Sequence, residues 1–242
     1  MPSTKYLDIY RSLRQRIVSG EFKDTGLLPS ENTLIRQFAC SRNTVRRAIA
    51  NLTDDGYVQV QHGKRVQILS APRFPALFSV GGIESFREAA ERNGISRYST
   101  RILSFEEDIL TPEEATVTGM PEGSAVYRIK RLRSIDGEPR ILDYNIFLKS
   151  EAAGLNRADA EKSIYDYLEN TLGMQITSGR RTITAETASA EDCQYLGLQD
   201  KGFVFIVTSQ TFNGKGILFE YTQSRHSPEH FVFVEKSVRR KI

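Results

Sequence analysis

The apolar residues of the first seventy positions change their spacing once, at Gly56, and this change restricts the possible folds more than any other feature. Before Gly56 they recur every three or four positions, which is the spacing of the buried face of a helix. After Gly56 they alternate with polar residues, as in a strand. Two alternating pairs flank a polar turn and predict a hairpin: Val58 with Val60, and Val66 with Ile68.

Three helices are predicted ahead of the hairpin. The first covers residues 4–19, the second follows Ser30, and the third begins after Ser41 and ends near Gly56. Serine is favoured just before a helix because its hydroxyl accepts a hydrogen bond from a free backbone amide of the first turn. The third helix has a predicted buried stripe at helical spacing: Val45, Ala48, Ile49 and Leu52.

The polar side of the third helix is rich in basic and amide side chains. Arg42 and Thr44 lie in its first turn, and Asn43, Arg46 and Arg47 lie opposite the buried stripe. Three helices and a basic hairpin match a winged helix-turn-helix, whose recognition helix enters the major groove, where arginine suits guanine and asparagine suits adenine. The alternative is a solvated basic helix beside an edge hairpin. The combination of capping serines, short turn and wing favours DNA binding.

Charge is divided unevenly along the 242 residues. Residues 1–70 contain eleven Lys and Arg and six Asp and Glu, a net charge of +5, so the total of +3 leaves −2 for residues 71–242. A basic head on a slightly acidic body indicates an anionic partner for the head, such as double-stranded DNA. Two cysteines make no disulfide framework, and we find neither a signal peptide nor an apolar run of ~18 residues. We therefore expect a cytoplasmic protein without membrane contact.

Residues 70–77, a polar stretch with two prolines, are predicted to link a DNA-binding domain at 1–69 to a second domain at 78–242. In the second domain the predicted helices are 85–93, 112–118, 161–172 and 190–196. The predicted strands are 98–106, 125–134, 140–148, 180–187, 203–211, 217–225 and 231–237, with hairpin turns at Asp136-Gly137 and Asn213-Gly214. Strands joined by hairpins, with few helices between them, favour a mainly antiparallel α+β domain.

The second domain carries no sequence signature of an enzyme. Its two histidines, His226 and His230, have no metal-ligand spacing with cysteine or carboxylate, and there is no nucleophile elbow, phosphate-binding loop or dinucleotide motif. Asp143, Glu220 and His226 could form an acid/base set, but carboxylates that bind sugar hydroxyls have the same appearance in a sequence. We therefore predict a protein without catalytic residues, metal or cofactor.

Anion binding has better support in two segments. Ser85, with Glu88 three residues later, forms a capping box, so that the backbone amides of Phe86 and Arg87 open a helix with a positive partial charge. Arg131 and Arg133 are two positions apart on a predicted strand and therefore project from the same face. A phosphate between them would suit both guanidinium groups. The alternative, two exposed strand arginines, is equally compatible with these residues alone.

The head resembles the DNA-binding domain of the GntR superfamily of bacterial transcription regulators over nearly all of residues 5–69. The resemblance lies in LPSENTLIRQFACSRNTVRRAIANLTDDGYVQVQHGK: Pro-Ser-Glu before the second helix, Ser-Arg-x-Thr-Val-Arg at the third and Gly-Tyr before the wing. It implies base and phosphate contacts by Ser41, Arg42, Asn43, Thr44 and Arg46. His62 and Gly63 would enter the minor groove, and we expect Lys64 of the wing to contact phosphate. Many members have arginine in place of Asn32, so one contact of the family is expected to be absent here.

The body resembles the ligand-sensing domain of the HutC branch of that superfamily, whose fold is similar to chorismate lyase. RLRSIDGEPRILDYNIF, SIYDYLENTLG and QSRHSPEHFVFVEKSVRRK are similar to corresponding segments of trehalose-operon repressors in that branch. The resemblance implies a phosphate site at Ser85, Phe86, Arg87, Arg131, Arg133 and Ser163. It implies sugar contacts by Asp143, Tyr165, Glu220 and His226. Many relatives have glutamate at position 143 and tyrosine at position 226, and the residues found here are those of the trehalose type.

One of these residues has an alternative interpretation. Tyr165, together with Ile164 and Leu168, could simply form the core stripe of its helix.

Taken with the resemblance, the sequence predicts a homodimeric repressor of a sugar-utilisation operon that binds a pseudo-palindromic operator and is released by trehalose 6-phosphate. Two alternatives stay open. The same architecture could sense another small molecule, such as an amino-sugar phosphate, or the body could be a lyase-like enzyme tethered to a DNA-binding head.

Overall fold

The computed structural model describes residues 5–61, 65–69, 82–198 and 202–233. The chain divides into two compact units. The first consists of Met1–Glu84, Glu88–Gly94 and Val232–Ile242, and the second of Ser85–Arg87 and Ile95–Phe231. The predicted linker at 70–77 lies outside the described residues, and the domain boundaries derived from it stay a prediction.

The head consists of three helices and a two-stranded hairpin, as predicted. The helices are α1 (Lys5–Val18), α2 (Glu31–Phe38) and α3 (Arg42–Asp54), and the strands are β1 (Val58–Gln61) and β2 (Arg65–Ile68). Ser30 and Ser41 both act as N-caps, because the hydroxyl of each accepts a hydrogen bond from the backbone amide three residues later. Val58 pairs with Ile68 and Val60 with Val66, so the predicted register of the hairpin is confirmed.

The body is a six-stranded antiparallel sheet in the order β3-β4-β5-β8-β7-β6, which confirms the α+β class. Its strands are β3 (Tyr98–Ile109), β4 (Ala125–Ile135), β5 (Glu138–Leu148), β6 (Ile176–Thr187), β7 (Phe203–Asn213) and β8 (Leu218–His226). Its helices are α5 (Pro112–Thr118), α6 (Arg157–Lys162), α7 (Ile164–Asp166) and α8 (Ala190–Leu196). Helix α4 (Phe86–Arg92) starts in the second unit, and its residues from Glu88 onward belong to the first.

The predicted single helix at 161–172 is wrong. Ser163 has an extended backbone (φ −166°), which ends α6, and its side chain accepts from the backbone amide of Asp166 to start α7. A π-helical turn, Tyr167–Thr171, completes the segment. Ile164 and Leu168, which follow the break, are both buried in one apolar core with residues of the sheet.

The two predicted hairpin turns behave differently. At Asp136-Gly137 both residues have positive φ (53° and 85°), as a two-residue turn requires. The connection after Asn213 is wider than a two-residue turn, because residues 214–217 separate the end of β7 at Asn213 from the start of the next strand at Leu218. The Asn213 side chain accepts from the amides of Lys215 and Ile217 and thereby closes this wider loop.

The last predicted strand, 231–237, is not confirmed where it can be compared. Pro228–His230 form a 3-10 turn, and Phe231–Phe233 are not in a strand. Residues 234–237 lie outside the described residues.

The two faces of the sheet have different coverings. Phe147 and Phe219 lie on one side of the sheet with Ile164 and Leu168 in one apolar core. On the opposite side, Leu132 and Leu142 pack with Leu196 of α8 in a second core. Side chains alternate along a strand, so the residues of β4 next to Leu132 project toward the first side. This side carries the candidate site.

Candidate functional site

Helix α3 presents its predicted polar side to solvent. The four stripe residues, Val45, Ala48, Ile49 and Leu52, are buried in the core of the head. Ser41, Arg42, Asn43, Arg46 and Arg47 are exposed, and Thr44 is half-buried. The Ser41 and Thr44 hydroxyls lie 2.8 Å apart, and Ser41 accepts from the Thr44 amide. The start of the helix is therefore fixed, and its basic residues are accessible.

Neighbouring residues orient the three arginines of α3. Arg42 Nη2 donates to the side-chain oxygen of Asn32 over 3.2 Å. Arg46 Nε donates to Glu31 over 3.1 Å, and the Arg47 guanidinium lies 3.8 Å from the centre of the Tyr6 ring. Spacing within α3 could not reveal these partners, because they come from α1 and α2. The predicted wing contacts, His62, Gly63 and Lys64, lie outside the described residues.

In the body, strand register brings three predicted site residues into adjacent positions. Arg131 on β4 lies opposite Asp143 on β5, and Asp143 lies opposite Ser224 on β8. Arg133 is two positions further along β4 on the same face, as its spacing from Arg131 predicts. His226 stands two positions beyond Ser224, opposite Ile141.

Asp143 is the carboxylate that compensates the arginine pair. Its Oδ2 accepts from Arg133 Nε over 2.9 Å and lies 4.0 Å from Arg131 Nη2, and its Oδ1 accepts from the Ser224 hydroxyl over 2.7 Å. Burial favours the neutral acid, but the two guanidinium groups outweigh burial and lower the pKa of Asp143. The carboxylate is therefore ionised at neutral pH.

Both arginines are buried, so the interpretation of this pair as exposed strand arginines is wrong. Arg131 is 5% exposed and Arg133 is 7% exposed. Arg133 Nη1 donates to the Thr100 hydroxyl over 2.6 Å, and its guanidinium lies 5.1 Å from the centre of the Phe86 ring.

Arg131 is less completely paired than Arg133. Its Nε donates to Asn145 over 2.9 Å. Among the described residues, no acceptor lies within hydrogen-bond distance of its two terminal nitrogens, and Asp143 at 4.0 Å contributes only an ion pair. Burial, and secondly the neighbouring Arg133, lower the pKa of Arg131 to about 9. The site thus contains a buried cation whose terminal donors can still bind an anion.

A chain of hydrogen bonds continues from Arg131 along the sheet. Asn145 donates to Thr222 over 2.7 Å, and Thr222 donates to Glu220 over 2.8 Å. The Tyr165 hydroxyl donates to the other oxygen of Glu220 over 2.5 Å and lies 3.5 Å from the Thr211 hydroxyl. We call the connected side chains the polar network: Arg131, Arg133, Asp143, Asn145, Tyr165, Glu220, Thr222 and Ser224.

The interpretation of Ile164, Tyr165 and Leu168 as a core stripe is correct for Ile164 and Leu168 but incomplete for Tyr165. Ile164 and Leu168 are buried in the apolar core, and the Tyr165 ring packs against it. The Tyr165 hydroxyl, however, belongs to the polar network. Burial, followed by the charge of Glu220, raises the pKa of Tyr165 well above its usual value, so the hydroxyl stays a donor.

The remaining predicted effector residues lie in several elements. His226 is buried with its ring 5.1 Å from that of Phe231, and burial lowers its pKa to about 4. Ser163 is buried and caps α7. Helix α4 begins at Phe86, directly after Ser85, in agreement with the predicted cap position, and Arg87 is exposed.

Sequence reasoning missed three members of the polar network: Asn145, Thr222 and Ser224. A signal for them existed, because Asp143 and Asn145 are two apart on β5, and Glu220, Thr222, Ser224 and His226 are two apart on β8. Such alternation places all of them on one face of the sheet.

The polar network is suited to bind a polar anion. At one end of the network two guanidinium groups lie beside one carboxylate, Asp143. The second carboxylate, Glu220, lies further along the chain of hydrogen bonds and offers an acceptor for hydroxyl groups. In the described part of the chain, no three His, Cys, Asp or Glu side chains are grouped to hold a metal ion. None of the helices in the described ranges has the length and apolar character that crossing a bilayer requires.

Comparison with known proteins gives matches to both parts of the chain. The family model "Bacterial regulatory proteins, gntR family" matches residues 5–68, and the model "UTRA domain" matches residues 96–232. The chain is 33% identical over 244 residues to the HTH-type transcriptional regulator TreR of Bacillus subtilis, and the match covers 100% of both chains.

Two solved structures are similar as well. One is the possible transcriptional regulator YydK of Bacillus subtilis, at 21% identity and a TM-score of 0.71, covering 97% of this chain and 99% of the other. At this identity, the likeness shows the fold alone. The other is the effector-binding domain of the Bacillus subtilis trehalose repressor TreR, at 30% identity and a TM-score of 0.53, covering 59% of this chain and 99% of that domain.

Proposed function

The chain belongs to the GntR family of transcription regulators, with the UTRA domain of its HutC branch, and we propose that it represses a sugar-utilisation operon until trehalose 6-phosphate binds its body. It is a DNA-binding regulator that senses a small molecule, and not an enzyme.

The observation that carries the proposal is the incomplete pairing of the buried arginines. Arg131 and Arg133 lie within reach of a single carboxylate, Asp143, and the terminal nitrogens of Arg131 have no hydrogen-bond acceptor among the described residues. A buried charge that is only partly paired is costly, and a phosphate group supplies both further negative charge and oxygen acceptors for bidentate hydrogen bonds. We propose that the phosphate also contacts Ser163 and the start of α4 at Ser85, Phe86 and Arg87.

We propose that the sugar contacts the other end of the polar network. Glu220 and Tyr165 offer an acceptor and a donor for hydroxyl groups, and Asp143 and His226 complete the proposed set. A disaccharide offers many hydroxyls, and such a site discriminates because a ligand without the matching hydroxyl leaves buried polar groups unpaired. The relatedness to TreR over the full length supports trehalose as the sugar.

For the head, we propose that α3 reads the major groove of double-stranded DNA through Arg42, Asn43 and Arg46, with the wing in the minor groove. One winged helix covers few base pairs, so two copies are needed for a specific site. We therefore propose a cytoplasmic homodimer on a pseudo-palindromic operator. We retain 1–69, 70–77 and 78–242 as the head, linker and body.

The proposed function is tested by titrating a labelled operator complex with trehalose 6-phosphate and with trehalose. We expect the phosphorylated sugar to release the operator and trehalose to do so poorly, because trehalose leaves both arginines without their anion. Equal potency of the two sugars would show that the arginine pair is not the phosphate site. Release by an amino-sugar phosphate instead would establish the rival ligand.

Two variants connect the response to the arginines. Arg133→Ala should keep operator binding and lose most of the release, because the effector then loses a contact to the anion that distinguishes it from trehalose. Because Arg133→Ala also removes the ion-pair partner of Asp143, Arg131→Met provides a second test. This variant leaves the Arg133–Asp143 pair intact. Arg97→Ala, which removes an exposed arginine of the body, is the matched control and should respond like the parent.

A further inference from the structure

The two edges of the six-stranded sheet differ in how they are protected. The β3 edge lies beside α6, and Arg157 Nη2 donates to the backbone carbonyl of Ile102 over 2.6 Å. At the other edge, β6 pairs only with β7 among the described strands. Ten of the twelve β6 residues are exposed, all except Ile176 and Arg181. A long edge strand exposed on both faces is a template for pairing with another strand.

We propose that β6 pairs in antiparallel orientation with β6 of a second copy of the chain, with Ile183 on the two-fold axis. The two sheets then form one continuous sheet. This inference rests on the proposed homodimer and identifies the surface that holds it together.

Symmetry restricts which residues can meet. Residues directly opposite one another on antiparallel strands lie on the same face, and side chains alternate between faces along each strand. A two-fold axis perpendicular to the sheet keeps the faces unchanged. Arg180 can therefore lie opposite Glu186 of the second copy, because both side chains project from the same face. Arg181 projects from the other face and cannot.

Charge then selects the position of the axis. An axis at Arg180 or Arg181 would place like charges opposite one another, which destabilises a strand pair. An axis at Ile183 is the one position that places Arg180 opposite Glu186, and it does so twice, once on each side of the axis. The same register pairs Thr182 with Thr184.

The residue on the axis is apolar and exposed. Ile183 is 36% exposed in the single chain, and the axis at this position would cover it with its own copy. Isoleucine is among the residues most favoured in paired strands. Among the described residues, Arg180 and Glu186 have only long contacts, to Gln210 at 3.5 Å and to Arg225 at 3.4 Å, so both can turn toward a neighbouring strand.

Disulfide trapping tests the register. Cysteines that replace Ile183 would face each other across the axis, at the separation of directly opposite residues, which a disulfide can span. We expect Ile183→Cys to give a covalent dimer under mild oxidation on a non-reducing gel. Thr187→Cys, on the same strand, places the two thiols far apart and should give no more covalent dimer than the parent, which contains Cys40 and Cys193.

A charge exchange tests the pairing independently. In sedimentation velocity, Arg180→Glu should raise the dimer dissociation constant about tenfold, because two attractive pairs become repulsive. Adding Glu186→Lys should restore the parent value. A dimeric parent with no trapping at position 183 and no effect of Arg180→Glu would overturn this surface and leave the proposed homodimer standing. A parent that sediments as a monomer with and without DNA would overturn both.

Discussion

Arginine occupies opposite environments in the two parts of this molecule. The side chain of Arg46 on α3 is 59% exposed and has a surface ion pair with Glu31, whereas that of Arg131 on β4 is 6% exposed and shares one carboxylate with Arg133. Water stabilises the exposed charges of the head whether or not DNA is bound, so these side chains stay accessible to DNA. The charges of the sheet have lost that stabilisation, and only part of it is replaced by the protein.

This difference suggests where the free energy of switching originates. A ligand shifts an equilibrium only by its differential affinity for two states. An anion at the half-paired arginines of the polar network supplies a large local interaction, whereas exposed arginines respond weakly to any one partner. The head is therefore suited to contacting DNA and the sheet to binding an effector, and variants of the two parts should differ accordingly.

Removing the carboxylate between the buried arginines should have the largest effect. Asp143→Asn keeps the shape of the side chain but leaves Arg131 and Arg133 without a compensating charge. We expect the free energy of unfolding, measured in urea, to fall by about 3–5 kcal/mol. Asp108→Asn removes an exposed partner of Arg128 and should cost far less. Similar losses in the two variants would contradict the role of burial.

A smaller effect is expected from the titration of His226, which tests whether water is excluded from that end of the sheet. Burial lowers its pKa to about 4 from an ordinary value of 6.5. Between these values the unfolded chain binds more protons than the folded chain, so stability is complete above pH 6.5 and falls as the pH drops toward 4. The loss should reach about 3 kcal/mol.

Urea unfolding between pH 7 and 4.5 measures this slope. His226→Asn should flatten it, whereas His230→Asn, at an exposed position, should preserve it. Asp143 does not obscure the result, because its folded pKa is lowered. Its contribution is present above the unfolded pKa of an aspartate, ~4, and is lost only as the pH falls below that value. An unchanged slope in His226→Asn would contradict the burial of a neutral imidazole.

Most of the fold could be predicted because local patterns decide it. The stripe of α3, the alternation in β1 and β2 and the Asp136-Gly137 turn are properties of short segments, and all three are confirmed. The break at Ser163 could not be predicted in this way. Its extended backbone is compatible with any residue, and it is set by the packing of Ile164 and Leu168 against the sheet.

The candidate site was predictable in part for a similar reason. Spacing placed Arg131 and Arg133 on one face, but the burial of both depends on which strands and helices cover that face. Asn145 and Thr222 were missed because a polar residue in a strand usually faces solvent. These two side chains are in contact because β5 and β8, which are far apart in the sequence, pair in the sheet. The spacing of residues within one strand contains no information about which strands pair.

In the head, Arg42→Ala tests whether an exposed arginine reads bases. Loss of a bidentate base contact should weaken operator binding by about 1–3 kcal/mol and relax specificity at one base pair. Binding to labelled operator measures the first effect, and a set of operator substitutions measures the second. The control is Arg97→Ala in the body, which removes the same charge from an exposed position. Parent-like affinity in Arg42→Ala would mean that this turn of α3 does not enter the major groove.

The smallest effect should come from the surface ion pair of the head. Glu31→Gln removes the charge that Arg46 contacts over 3.1 Å, and exposed pairs of this kind contribute only about 0.2–1 kcal/mol to stability. Because the guanidinium is released and a negative charge near the DNA disappears, operator affinity should rise by a similar amount, more at low salt than at high salt. Glu107→Gln, which removes an exposed charge from the body, should leave operator affinity unchanged. A loss of affinity in Glu31→Gln would mean that Glu31 positions Arg46 for DNA, and the exposed arginines would then depend on their partners as the buried ones do.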